Sequence, residues 1–110
     1  MRTYPILLTL VALQIATPIS SAYAADDIEA KQLYVQSLAA TCANCHGTEG
    51  HAISGATVPG LAGRSADELV AQMKAFRSGE RKATIMHQIA KGFSEAQTQL
   101  LAEYFAAQKR

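Results

Sequence analysis

Five consecutive residues, Cys42-Ala43-Asn44-Cys45-His46, constrain this chain more than any other feature of it. Two cysteines three positions apart at a helix end project toward the same side. With a histidine immediately after the second, the run reads as an attachment site for a c-type haem. The two thiols can reach the vinyl groups along one edge of a porphyrin and form thioethers, and the adjacent imidazole is carried under the iron. Other uses of a cysteine pair fit less well. A thioredoxin-like redox pair needs a βαβ frame, and no stretch here alternates apolar and polar residues with β-branched enrichment. A structural zinc site wants four ligands; Cys42, Cys45 and His51 give three at most without a distant partner. A plain disulfide would leave His46 and the glycine-rich stretch after it without a purpose.

The rest of the sequence reads as helices and loops. A helix is expected over 26–43, with Asp26, Asp27 and Glu29 loading its first turn and suiting the positive end of the helix dipole. Ile28, Val35, Leu38, Ala39 and Cys42 share one face, so this helix delivers the cysteine cluster from its C-terminal end. Residues 47–64, with Gly47, Gly50, Gly55, Pro59, Gly60 and Gly63, read as a long loop. Loops of that length are usually functional, and wrapping a flat cofactor is a good reason for one. Ser65-Ala66-Asp67-Glu68 has the pattern of a capping box, serine bonding forward and Glu68 reaching back. It opens a helix with Leu69, Met73 and Phe76 as its buried stripe and Gly79 as its stop. A short helix is expected over 84–91, closed by Gly92. Ser94-Glu95-Ala96-Gln97 is a second capping box, and Leu100, Leu101, Tyr104 and Phe105 form the apolar face of the last helix. The expectation is an all-α domain of about four helices wrapped around one covalently bound haem.

The first residues carry a different message. Arg2 is followed by an apolar run from Pro5 to Ala16, then by Pro18, Ser20 and Ser21, then by the small residues Ala22 and Ala24. That order is a secretory signal, with cleavage expected after Ala24 and export to the periplasm. The run is shorter than the roughly 20 apolar residues of a membrane span, a retained N-terminal anchor being the alternative to cleavage, and no second segment of the chain could span a membrane. Residues 25–110 then form the single domain. Of the ten basic side chains, removal of Arg2 leaves nine, against nine acidic. This balance argues against nucleic acid as a partner and leaves only local patches to steer a protein partner. A chain this short buries a small core and needs a staple, which covalent haem attachment supplies.

A second protein ligand to the iron would separate an electron carrier from a haem that binds or transforms small molecules. Four residues come into question. Met73, between Leu69 and Phe76 in a capped amphipathic helix, reads as core packing. His51 follows His46 too closely to reach the opposite haem face. Met86 lies far enough downstream for the chain to wrap around, and it opens a short helix after a loop, where one side chain can be aimed. His87 is the neighbouring alternative; successive helical residues point roughly 100° apart, so only one of the two can face the iron.

At these residues the chain resembles the class I cytochromes c. The likeness covers nearly all of 30–107: the haem motif, Pro59-Gly60-Leu61-Ala62-Gly63-Arg64, Ala83-Thr84-Ile85-Met86 and Leu101-Ala102-Glu103-Tyr104-Phe105. Within that class, Phe76-Arg77-Ser78-Gly79-Glu80-Arg81 followed by Met86-His87-Gln88-Ile89-Ala90-Lys91-Gly92 is similar to the cytochrome subunit of flavocytochrome c sulfide dehydrogenase. The resemblance implies that the Pro59 carbonyl binds the second ring nitrogen of His46. It also implies that Met86 is the axial thioether, that Arg64 lies near a haem propionate, and that Leu61 and Phe76 pack on the haem. It implies single-electron transfer as the activity. The redox partner would be a flavoprotein sulfide dehydrogenase subunit or a respiratory oxidase. A haem enzyme or gas sensor with an open sixth position, such as a peroxidase, is the reading to set beside it, and it requires that Met86 not bind iron.

Overall fold

The computed structural model describes residues 20–110, and side chains from residue 25 onward. Residues 1–19, the greater part of the expected signal, lie outside the described residues. Four α-helices follow one another: α1 (Ser20–His46), α2 (Ala66–Ser78), α3 (Met86–Ile89) and α4 (Glu95–Ala106). Short 3₁₀ turns occupy Thr48–Gly50 and Ala90–Gly92. Among the described residues there is no strand. The all-α expectation holds.

The first helix departs from expectation at both ends. It begins at Ser20 and runs unbroken past Ala24, because the alanine-rich Ala22–Ala25 stretch favours helix and contains no glycine or proline to stop it. Asp26, Asp27 and Glu29 therefore stand beyond the first turn, exposed to solvent. At the other end the helix passes the expected stop at 43 and closes at His46, so the whole Cys42–His46 motif is helical. Gly47 ends it with φ +84°, a left-handed conformation in which a Cβ would lie 1.9 Å from the His51 carbonyl oxygen. Ile28 does not join the buried face; it is 69% exposed, because it lies well over two turns N-terminal to Ala39, where α1 is buried in the core.

The core is small and sits where α4 packs against α1. Ala39 of α1 meets Leu101 and Phe105 of α4, ringed by Leu38, Cys42, Leu61, Leu69, Phe93 and Tyr104. Leu101 and Phe105 are one helical turn apart, at 5% and 3% exposure, and burial of each contributes about 1.5–3 kcal/mol. The Tyr104 and Phe105 rings meet edge to face with centroids 5.2 Å apart. Gln97 Nε2 donates to the Tyr34 hydroxyl at 2.9 Å, a second tie between α4 and α1.

The α4 capping box is complete: Gln97 N–H donates to Ser94 Oγ, and Ser94 N–H to Gln97 Oε1. The α2 box is only half made. Ser65 Oγ accepts from Glu68 N–H at 3.1 Å, but the Glu68 carboxylate pairs with Arg64 at 2.8 Å instead of reaching back. An arginine one residue before the cap outbids a neutral backbone N–H for that carboxylate. Gly79 stops α2 as expected. Leu69, Met73 and Phe76 are half-buried rather than buried, because protein covers this face only in part. The expected helix over 84–91 is the four-residue α3 followed by a 3₁₀ turn.

Candidate haem-attachment site

The site is built at the C-terminal end of α1. Cys42 is half-buried against the core and Cys45 is exposed, and no disulfide joins them. Burial pushes the Cys42 thiol above its ordinary range, the Thr41 hydroxyl opposes this, and the nearby Cys45 adds a smaller upward push. Beside Cys45 lies an open pocket of about 300 Å³, lined by Ala43, Asn44, Ala52, Ile53 and Val58 among others.

His46 is half-buried, and its Nδ1 lies 2.7 Å from the Pro59 carbonyl oxygen. A carbonyl only accepts, so Nδ1 carries the proton and donates. In the neutral ring this leaves the lone pair on Nε2, the form of imidazole that binds a metal. The loop is fixed so that the carbonyl stays in place. The Gly50 oxygen accepts from both Leu61 N–H (2.8 Å) and Ala62 N–H (3.2 Å). A Cβ on Gly50 would come within 2.9 Å of Phe105 and 2.8 Å of the Ala62 nitrogen, so only glycine permits this approach. Arg64 clamps the same loop, donating from Nε to the Gly60 carbonyl at 2.9 Å while its other end pairs with Glu68. Its present contacts are thus with protein groups.

His51 is occupied elsewhere. Its Nε2 lies 2.7 Å from the Lys109 carbonyl oxygen and its Nδ1 3.2 Å from that of Thr48. Among the described residues no cluster of three or more His, Cys, Asp or Glu could hold a metal ion. The thiol pair and an imidazole with its free nitrogen directed by a backbone carbonyl form a donor set that fits a covalently bound haem.

Leu61 is half-buried against the core cluster. Phe76 is half-buried in α2, with the Arg81 guanidinium stacked 4.7 Å above its ring centroid. Met86 is the first residue of α3 and is half-buried, as is His87. His87 Nδ1 and Gln72 Oε1 are enclosed without a hydrogen-bond partner. Arg77, to which the sequence assigns no role, donates from its guanidinium to the carbonyls of Ala90 and Phe93 and to Thr98 Oγ1. Its signals in the sequence are a place beside a helix's apolar stripe and in the Phe76–Arg81 run.

Residues 28–109 match the family model described as cytochrome c. The chain is 37% identical over 68 residues to the cytochrome subunit of sulfide dehydrogenase from Chlorobaculum tepidum, covering 62% of this chain and 60% of that one. It is 46% identical over 68 residues to the thiosulfate dehydrogenase electron acceptor of Stutzerimonas stutzeri, covering 59% of this chain and 31% of that one. It is 38% identical over 72 residues to cytochrome c-554(548) of Halomonas halodenitrificans, 63% of this chain and 86% of that one. The chain thus spans less than two thirds of the first two relatives and most of the third.

Proposed function

Because this chain belongs to the cytochrome c family and so carries covalently bound haem c, we propose that it is an exported carrier of single electrons with one haem. When bound, haem supplies a one-electron iron couple whose potential depends on its axial ligands. Cys42 and Cys45 hold the porphyrin edge, and Leu61 and Phe76 give it apolar contact. His46 offers Nε2 to the metal, while Pro59 fixes the ring's orientation and, by accepting from Nδ1, raises its basicity. Met86 would be the second protein ligand, its thioether favouring the ferrous state more than a second imidazole would. Haem held by both His46 and Met86 would supply electron transfer and offer no open position to a substrate. The observation that carries this reading is the 2.7 Å contact between His46 Nδ1 and the Pro59 oxygen, which leaves a ligating nitrogen free next to two thiols.

Residues 1–24 direct export, and the domain works in the periplasm. Among the described residues no helix is long and apolar enough to cross a membrane. The electron donor we favour is a dehydrogenase acting on reduced sulfur, since one relative is named as the cytochrome subunit of a sulfide dehydrogenase and another as the electron acceptor of a thiosulfate dehydrogenase. A flavoprotein sulfide dehydrogenase subunit would be such a donor, and a respiratory oxidase is the corresponding acceptor.

The test is to express the full chain in a host competent in cytochrome c maturation and to take the intact mass and spectrum of the periplasmic product. The mass should equal the polypeptide cut after Ala24 plus one haem. The ferric form should show the near-infrared sulfur-to-iron band and resist cyanide. A haem extracted by acidified organic solvent would refute covalent attachment; a missing band with tight cyanide binding would favour the open-site haem enzyme.

A further inference from the structure

α3 is four residues long, and a helix that short has no stability of its own. No side chain caps its start, and the isoleucines on either side of its first turn, Ile85 and Ile89, are exposed. Its orientation, and with it the aim of Met86, has to be imposed by the rest of the fold.

Among the described residues, every hydrogen bond that joins segment 82–93 to the remainder of the molecule comes from the Arg77 side chain. Nε donates to the carbonyl of Ala90, the fully buried residue that closes α3, at 3.2 Å. Nη2 donates to the Phe93 carbonyl and, at 3.4 Å, to Thr98 Oγ1. Thr98 is buried as well, and its hydroxyl donates to the Ser94 carbonyl at 2.9 Å, so the fork is anchored in the first turn of α4. A guanidinium is a rigid plane with donors at fixed angles, and hydrogen bonds from a charged donor are roughly twice as strong as neutral ones. One side chain thus joins the end of α2, the end of α3 and the start of α4.

We propose that Arg77 is a positioning residue for the Met86 thioether, holding the short α3 at the angle that presents its first residue to the haem iron. This rests on the reading of Met86 as an axial ligand. No other residue type spans the same acceptors: lysine keeps the charge but reaches one carbonyl at a time, and methionine fills the space with no donor.

The experiment uses the holoprotein and compares wild type, Arg77→Met, Arg77→Lys, Leu101→Val and Met86→Ala. The near-infrared band of the ferric form and the cyanide affinity are read together with the denaturation midpoint. Arg77→Met should lose most of the band and bind cyanide roughly tenfold or more tightly, the scale of one lost charge-assisted hydrogen bond. Arg77→Lys should fall between it and wild type. Leu101→Val lowers stability through the α1–α4 core and should keep both properties. An unchanged band and cyanide affinity in Arg77→Met, or equal changes in Leu101→Val, would overturn the proposal; if Arg77→Met does not accumulate, wild-type behaviour in Arg77→Lys does the same. A band that survives Met86→Ala would refute the axial assignment itself. A band that needs Met86 but not Arg77 would refute only the positioning role.

Discussion

At the residue scale, two methionines half-buried on neighbouring helices have different expected consequences. Met86→Ala should keep the covalent haem, lower the reduction potential and open the iron to added ligands, all readable by redox titration and cyanide binding. Met73→Leu should cost under about 1.5 kcal/mol and leave the potential alone, because the volume is nearly conserved. Tyr104 gives a pH prediction. Burial, and secondly the charge of Glu49, raise its phenol above the ordinary value of 10.0. The folded chain therefore keeps that proton after the unfolded chain has released it. The contribution is complete below pH 10 and fades as pH rises through the raised value. Tyr104→Phe should accordingly flatten the fall of denaturation midpoint with pH above 10. The residues with chemistry of their own, Cys42, Cys45 and His46, were legible because their spacing is local. The roles of Arg77 and His51 were not, because Ala90, Phe93 and Lys109, which they bond, lie 13 or more positions away in sequence and no local pattern encodes such reach.

At the scale of elements, the helix ends show what a sequence states and what it withholds. Both serine caps could be read from four residues each, and both serines accept the expected bond. What could not be read was competition: Arg64 takes the Glu68 carboxylate away from the box it would have completed. Likewise, in the uncleaved chain α1 runs back to Ser20, because Ala22–Ala25 holds no glycine or proline to stop it and the acidic residues at 26, 27 and 29 do not make a boundary by charge alone. α4 allows its cap and its packing to be weighed against each other. Ser94→Ala should cost about 1 kcal/mol, by loss of one partner for an orphan N–H. Leu101→Ala should cost 2–5 kcal/mol, roughly, by the cavity it leaves against Ala39. Urea denaturation of the holoprotein measures both, and the order should be unmistakable.

At the scale of the molecule, the buried apolar residues among those described are Ala39, Ala90, Leu101, Ala102 and Phe105, and three of these are alanines. A core so poor in large side chains leaves a domain of this size marginal, and the covalent cofactor is part of what holds it. The double variant Cys42→Ser, Cys45→Ser should therefore lose helical circular dichroism at a much lower temperature than the holoprotein, with α2 and α3 exchanging their amides first. The tail adds another dependence. His51 bonds the Lys109 carbonyl, Arg110 Nε donates to the Gly63 carbonyl at 3.1 Å, and Gly63 N–H donates to Phe105. The final residues are thus strapped across the loop that carries Pro59. Arg110→Ala should slacken the imidazole's tether and drift the midpoint voltage, although the side chain removed bonds only the Gly63 carbonyl.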